Sequence, residues 1–154
     1  MEYILRKANN KDCDAVKAMV YSVLIEYGLQ PDPEATDKDL EDFDQYYFND
    51  HGYFAVATDQ KGSVVASVGV IRLSDQSCEL RKMFAYPSSR GVGLGKKLLT
   101  FAIDKARALG YKRMELQTAS SLVEAVALYR ASGFIEYHEE NIVSRCDLAF
   151  EYKL

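Results

Sequence analysis

The sequence has no long apolar segment and few of the residues that form cross-links. No apolar run in the 154 residues approaches the ~18 residues that a membrane-spanning helix needs. The charged start of the chain does not fit a secretory signal peptide. Three cysteines, Cys13, Cys78 and Cys146, lie far apart without a CxxC pair, which indicates a reducing compartment. We therefore expect a cytoplasmic protein without a membrane segment, with Cys78 and Cys146 packed in its core.

Histidines and an excess of basic residues are also lacking. His51 and His138 are isolated, without metal-ligand spacing, so we expect no metal site and place both on the surface. The 23 acidic residues outnumber the 19 basic ones. Because phosphate binding favours a basic surface, nucleic acid is not the expected partner. The length and the absence of repeats predict one domain over residues 1–154.

The spacing of apolar residues predicts the secondary structure. Strands are predicted over residues 2–7, 53–58, 63–73, 78–86, 113–118, 134–137 and 146–152. Helices are predicted from an Asn9 or Asn10 cap to Gly28, after a Thr36 cap, from Leu94 to Gly110, and from Leu122 to Gly133. This order predicts an α/β (α+β) fold with a mixed sheet of about seven strands flanked by about four helices.

The segment 90–96, RGVGLGK, lies between a predicted strand and an amphipathic helix. Glycines let backbone N–H groups approach a ligand, and the first N–H groups of a helix lack internal partners. The segment therefore favours a phosphate site, the alternative being a glycine-rich turn without a ligand. It is not a Walker A loop, because Arg90 replaces its first Gly and Lys97 its Ser or Thr. It is not a dinucleotide fingerprint, because Lys96 replaces the last Gly.

Three segments in chain order resemble the GNAT acetyltransferases. Arg90, Gly93 and Gly95 match the [RQ]-x-x-G-x-[GA] signature of that family. Residues 79–87, ELRKMFAYP, resemble its fourth strand, and residues 125–134, with the pattern A-x-x-L-Y-x-x-x-G-F, resemble a later helix and strand. The resemblance covers residues 63–154 and implies the acyl-CoA N-acyltransferase (GNAT) fold.

The resemblance implies acetyl-CoA as the cosubstrate. In this family the loop holds the CoA pyrophosphate through backbone amides, which assigns this role to Arg90, Gly91, Val92, Gly93, Leu94, Gly95 and Lys96. The end of the fourth strand pairs with the pantetheine arm as an added strand would, which assigns Met83, Phe84 and Ala85. One position departs from the family, since Leu122 stands where many members carry a cofactor-binding Asn.

Two residues are candidates for the chemistry. Transfer to an amine needs a base for the amine and an acid for the leaving thiolate. Tyr129 matches the general acid of the family, the alternative being a core tyrosine whose hydroxyl is satisfied by a neighbour. Glu79 matches a position used as base, directly or through water, the alternative being an ion pair with Arg81 or Lys82. The resemblance implies an N-acetyltransferase for a primary amine of a small molecule, peptide or protein, or alternatively a non-catalytic CoA sensor.

The acceptor side carries no recognisable motif. We interpret the segment 37–50 as a solvated acidic helix. In the resembling family this region lines the acceptor site, which makes Asp39, Asp42 and Tyr46 candidates to meet a cationic amine. A transferase for charged tRNA is a further alternative, against which the net charge of −4 argues. Homodimers are common among such folds, but no feature of the sequence indicates one.

Overall fold

The computed structural model describes residues 2–154, which form one seven-stranded sheet with helices on both faces. The strands are β1 (Ile4–Lys7), β2 (Tyr53–Thr58), β3 (Val64–Arg72), β4 (Ser77–Ala85), β5 (Arg113–Thr118), β6 (Ile135–Tyr137) and β7 (Leu148–Lys153). The helices are α1 (Cys13–Glu26), α2 (Phe43–Tyr46), α3 (Leu94–Ala108) and α4 (Val123–Ala131). The predicted fold class and order of elements are confirmed.

The strands follow the order β1-β2-β3-β4-β5-β7-β6 across the sheet. β1 to β4 form an antiparallel meander. β4 and β5 are parallel because α3 carries the chain back across one face of the sheet. β7 then lies antiparallel between β5 and β6. The parallel pair at the centre of the sheet is the position at which the candidate site forms.

Each face of the sheet is covered by a helix with an apolar stripe. One core joins α3 to the sheet through Leu98, Leu99 and Ala102, at the i, i+1, i+4 spacing of an amphipathic helix. The other joins α1 to the opposite face through Val16 and Met19 together with further apolar residues of the same helix. Among residues 2–154, no helix reaches the length and hydropathy of a bilayer span.

Of four local predictions, one is confirmed and three are wrong. Asn9 does cap the first helical turn, in a reciprocal capping box with Asp12. Thr36 does not act as a helix cap, because its hydroxyl donates to Asp32 at 2.8 Å, and Asp42 caps α2 instead. The segment 37–50 is not a solvated acidic helix, since it forms short turns around buried carboxylates. Cys146 precedes β7 and is only partly buried, so its expected place in a core strand is also wrong.

Candidate active site

A cleft opens where β4 and β5 separate. Residues 77–79 of β4 pair with residues 113–115 of β5, and the pairing stops there. Beyond Glu79 and Glu115 the two strands diverge around a cleft of about 700 Å³. Its walls come from both strands, from α1, from the start of α3 and from α4. This volume lies within the range of about 300–1,000 Å³ typical of small-molecule sites.

One wall of the cleft is an unpaired strand edge. Met83, Phe84 and Ala85 line the cleft, and on their other side Phe84 and Ala85 pair with Ser67 and Ala66 of β3. Among residues 2–154, no strand pairs with the edge of this segment that faces β5. Backbone N–H and C=O groups at such an edge are available to an extended ligand.

At one end of the cleft lies a row of free backbone donors. None of the six N–H groups from Gly91 to Lys96 has a hydrogen-bond acceptor within residues 2–154, and the ladder of α3 begins with Lys97 N donating to Gly93 O at 3.2 Å. Gly93 adopts φ +80° and forms the N-cap of α3 without a side-chain cap. Free donors at the positive end of a 15-residue helix constitute an anion site.

Arg90 fixes this loop against α1. Its Nε donates to the Ala85 carbonyl at 2.9 Å, and its Nη atoms bind Glu26 at 2.7 and 2.9 Å. Gly91, Gly93, Leu94 and Gly95 line the cleft beside it. Val92 is 55% exposed and Lys96 is also exposed, and neither lines the cleft. Of the predicted loop residues, these two therefore lie outside the cleft lining, although their backbone N–H groups have no acceptor among residues 2–154.

The Tyr129 side chain lines the cleft from α4. Its ring packs between Phe134 and Phe150, and the residue is 5% exposed. Its hydroxyl has no hydrogen-bond partner among residues 2–154, yet the hydroxyl oxygen keeps some accessible surface. The hydroxyl therefore meets the cleft itself, unlike that of a satisfied core tyrosine. Burial raises the pKa of Tyr129 well above its usual value, so the group is a protonated donor at neutral pH.

Glu79 lies at the closed end of the cleft and is engaged by a neighbour. Arg81, two residues along β4, donates its Nε to the Glu79 carboxylate. Both side chains line the cleft, and that of Glu79 is 13% exposed. The structure thus shows the ion pair with Arg81 that was the alternative to a catalytic role, while leaving the second carboxylate oxygen without a protein donor among the residues it describes. A pairing role and a role in the site are both compatible with this geometry.

A buried ionic network behind the cleft was not found from the sequence. At the break in the β3–β4 register, Lys82 adopts φ +54°, and its Nζ lies 3.0 Å from Asp39 and 3.4 Å from Asp37. Ser67 of β3 donates to the Lys82 carbonyl at 2.6 Å, and Tyr47 donates to Asp39. These contacts hold the bulged part of β4 that forms the cleft wall.

The β6–β7 loop adds two further side-chain contacts at the same end. Arg145 binds Asp37 bidentately at 2.7 and 2.6 Å, and Gln117 of β5 accepts from the Val143 N–H at 2.9 Å. Burial acts to raise the pKa of Asp37, but the Arg145 hydrogen bonds and Lys82 outweigh it, and the pKa lies below its usual range. Arg145 and Gln117 line the cleft. Sequence patterns give no signal for them, because their partners are remote in the chain.

The residues expected to meet a cationic acceptor lie elsewhere. Asp39 is buried against Lys82 and Tyr47, and Asp42 caps α2 and binds Asn10. Neither carboxylate lines the cleft, and nor does Tyr46. The hypothesis that they face the acceptor is therefore wrong for this structure.

Cysteines and histidines add no reactive group. Cys146 lines the cleft, but burial raises its pKa to about 11, so it is a neutral thiol. Cys78 is fully buried, and burial raises its pKa to about 12. His51 and His138 are exposed, as predicted. Across residues 2–154 no group of three or more His, Cys, Asp or Glu side chains is placed to hold a metal ion.

Comparison with known sequences and structures gives consistent matches. Residues 17–134 match the sequence model of the acetyltransferase (GNAT) family. The uncharacterized N-acetyltransferase YjgM of Escherichia coli is 37% identical over 137 residues, which cover 85% of this chain and 81% of that protein.

Two solved structures have the same fold. A GNAT-family acetyltransferase from Staphylococcus aureus superposes with a TM-score of 0.92 at 22% identity, covering 99% of both chains. The acetyltransferase yncA of Salmonella typhimurium, determined with its cofactor acetyl-CoA, gives a TM-score of 0.77 at 22% identity, covering 99% of this chain and 94% of that one. At this identity these matches establish the fold.

Proposed function

Because this chain belongs to the acetyltransferase (GNAT) family, we propose that it transfers an acetyl group from acetyl-CoA to a primary amine. Residues 1–154 act in this proposal as one catalytic domain. The observation that carries it is the row of six free N–H groups from Gly91 to Lys96 at the mouth of a cleft that also holds the unpartnered Tyr129 hydroxyl. A ligand-free turn gives no reason for either feature.

The residues of the cleft fit acetyl-CoA. The free amides of the glycine loop suit a pyrophosphate, and the unpaired edge at Met83, Phe84 and Ala85 suits the amide-containing pantetheine arm. Arg90 sets the position of the loop through Glu26 and the Ala85 carbonyl. Acetyl-CoA supplies an activated thioester, and the protein supplies orientation and proton transfer.

Two side chains are assigned to proton transfer in this proposal. Tyr129, neutral and unpartnered, donates a proton to the leaving sulfur, while Glu79 accepts one from the amine directly or through a water molecule. The Arg81 contact orients the Glu79 carboxylate and leaves its second oxygen for the amine side. Direct attack of the amine on the thioester needs no nucleophilic side chain, in agreement with the neutral thiol of Cys146.

The proposal is tested by binding and turnover together. Calorimetry measures acetyl-CoA binding, and release of free CoA thiol is then followed with a panel of amines. Binding with release for at least one amine supports an acetyltransferase. Binding without release for any amine supports the alternative of a CoA-binding sensor, and absence of binding overturns the assignment of the glycine loop.

Gly93→Ala is expected to weaken acetyl-CoA binding and to lower stability by about 1 kcal/mol. A Cβ at Gly93 meets no atom within 4 Å, so the loss of stability comes from φ +80° alone. The added methyl and any relaxation of φ displace the free N–H groups. Gly62→Ala is the matched control, because Gly62 has φ +83° and an equally open surrounding in the β2–β3 turn. Equal acetyl-CoA affinities of the two variants would contradict the role of the loop.

A further inference from the structure

We propose that the acceptor is an amine that also carries a carboxylate, bound by Arg81, Gln117 and Arg145 at the closed end of the cleft. This inference rests on the proposed acetyl transfer and specifies its substrate class. Arg81 and Gln117 each lie two residues beyond the last β4–β5 pair, Glu79 with Glu115, and thus flank the point where the strands separate. Arg145 reaches the same cleft from the β6–β7 loop.

The charged side chains that a ligand can meet at this end are two arginines and one glutamate. Arg81 and Arg145 line the cleft there, together with Glu79. The carboxylates that pair with Arg145 and Lys82, Asp37 and Asp39, are 0% and 2% exposed and do not line the cleft. Lys82 is 4% exposed and its Nζ is engaged by Asp39 and Asp37, so a polyamine would meet the two arginines and one carboxylate that Arg81 already engages.

Apart from the second oxygen of Glu79, three side chains at this end keep unused hydrogen-bonding groups, and these are donors. Arg81 uses Nε for Glu79, and its Nη atoms have no acceptor among residues 2–154. Arg145 uses both Nη atoms for Asp37, and its Nε is without an acceptor in the described chain. Gln117 accepts the Val143 N–H through Oε1, and its amide nitrogen is likewise unpaired. None of these nitrogen atoms is a sealed buried group, so each is open to an acceptor oxygen of a ligand.

A carboxylate is the group that fits this set. It accepts from two or more donors at once and gains charge-assisted hydrogen bonds from arginine, whereas an ammonium group offers only donors. The amine of the same molecule then faces the free oxygen of Glu79, the candidate base. In this arrangement the arginines bind the carboxylate of an amino acid-like acceptor, and Glu79 faces its amine.

Matched substrate pairs test the inference. Rates of thiol release are compared for L-alanine, L-methionine and γ-aminobutyrate against their carboxamides, with spermidine as a cationic acceptor. Since a charge-assisted pair outweighs a neutral contact, at least one carboxylate is expected to exceed its carboxamide in kcat/KM by about tenfold or more. Arg81→Gln is expected to bring that ratio close to one without changing the KM for acetyl-CoA. Arg130→Gln is the matched control, because Arg130 pairs with Glu136 on the surface and does not line the cleft.

Failure of this inference and failure of the proposed activity give different results. Equal or better turnover of carboxamides or spermidine overturns the carboxylate site while establishing acetyl transfer. If no amine is turned over, calorimetric titration of the same carboxylates and carboxamides into CoA-saturated protein decides. Binding of a carboxylate that Arg81→Gln weakens supports the site without the activity, and no preference for any carboxylate overturns both.

Discussion

Replacing Tyr129 with phenylalanine is expected to lower kcat for acetyl transfer by about 100-fold, within the range of general-acid contributions. The hydroxyl has no partner among residues 2–154 but meets the cleft, and burial raises its pKa. Tyr129 is therefore a neutral hydrogen-bond donor that faces the cleft from α4. The KM for acetyl-CoA should change little, because the aromatic ring that forms the wall is retained.

This substitution separates chemistry from folding. The ring of Tyr129 packs on Phe134 and Phe150, and both contacts survive the loss of a hydroxyl that bonds to no described residue. The free energy of unfolding should thus change by less than about 1 kcal/mol. Tyr137→Phe is the matched control, because the Tyr137 hydroxyl donates to Glu115 at 2.8 Å and lies outside the cleft. An unchanged kcat in Tyr129→Phe would remove this residue from the mechanism.

The pH dependence follows from the same burial. A raised pKa keeps the Tyr129 hydroxyl protonated throughout the neutral and mildly alkaline range. The acid therefore does not limit kcat as the pH rises through that range, and any loss of rate at lower pH has a cause outside Tyr129, such as protonation of the acceptor amine. Profiles of kcat against pH for the wild-type protein and for Tyr129→Phe should fall over the same pH range on the acidic side, while kcat of the variant is lower throughout.

The sequence predicted the glycine loop and the elements that flank it because their signals are local. The glycine loop, the strand before it and the helix after it are consecutive in the chain, and the spacing of Leu94, Leu98 and Leu99 defines the buried face of α3 without knowledge of any partner. Most of the loop residues assigned from the sequence line the cleft, the exceptions being Val92 and Lys96. Short-range patterns are sufficient wherever structure depends on short-range contacts.

The structure of the segment 37–50 was misjudged because its contacts are remote in sequence. Asp37 and Asp39 occur in a strongly acidic segment, for which solvation is the expected state. Asp39 is instead buried against Lys82, which is 43 positions away, and Asp37 against Arg145, 108 positions away. No periodicity within the segment 37–50 distinguishes a paired buried carboxylate from a solvated one. These pairs depend on tertiary structure, which the local pattern does not contain.

Lys82→Met is expected to lower the free energy of unfolding by about 3–5 kcal/mol, the usual effect of breaking a buried ion pair. The Lys82 side chain is 4% exposed, and its Nζ contacts Asp39, Asp37 and the Thr36 carbonyl. Methionine fills a similar volume at the same φ of +54°, so the backbone strain is unchanged and the lost charge accounts for the effect. Thermal unfolding should shift downward by about 10 °C for a chain of this length.

Three comparisons make the cause of that destabilisation explicit. Lys17→Met removes an exposed pair with Glu41, and should change stability by less than about 1 kcal/mol. Lys82→Gly relieves the positive φ but leaves Asp39 without a cationic partner among residues 2–154, and should therefore remain unstable. Combining Lys82→Met with Asp39→Asn removes the uncompensated charge, and the double variant should be more stable than the sum of the single effects indicates. Two results would contradict this account: wild-type stability of Lys82→Gly, or a double variant whose loss of unfolding free energy equals the sum of the two single losses. Either would show that backbone strain and packing, rather than the ionic network, hold this part of β4 at the cleft.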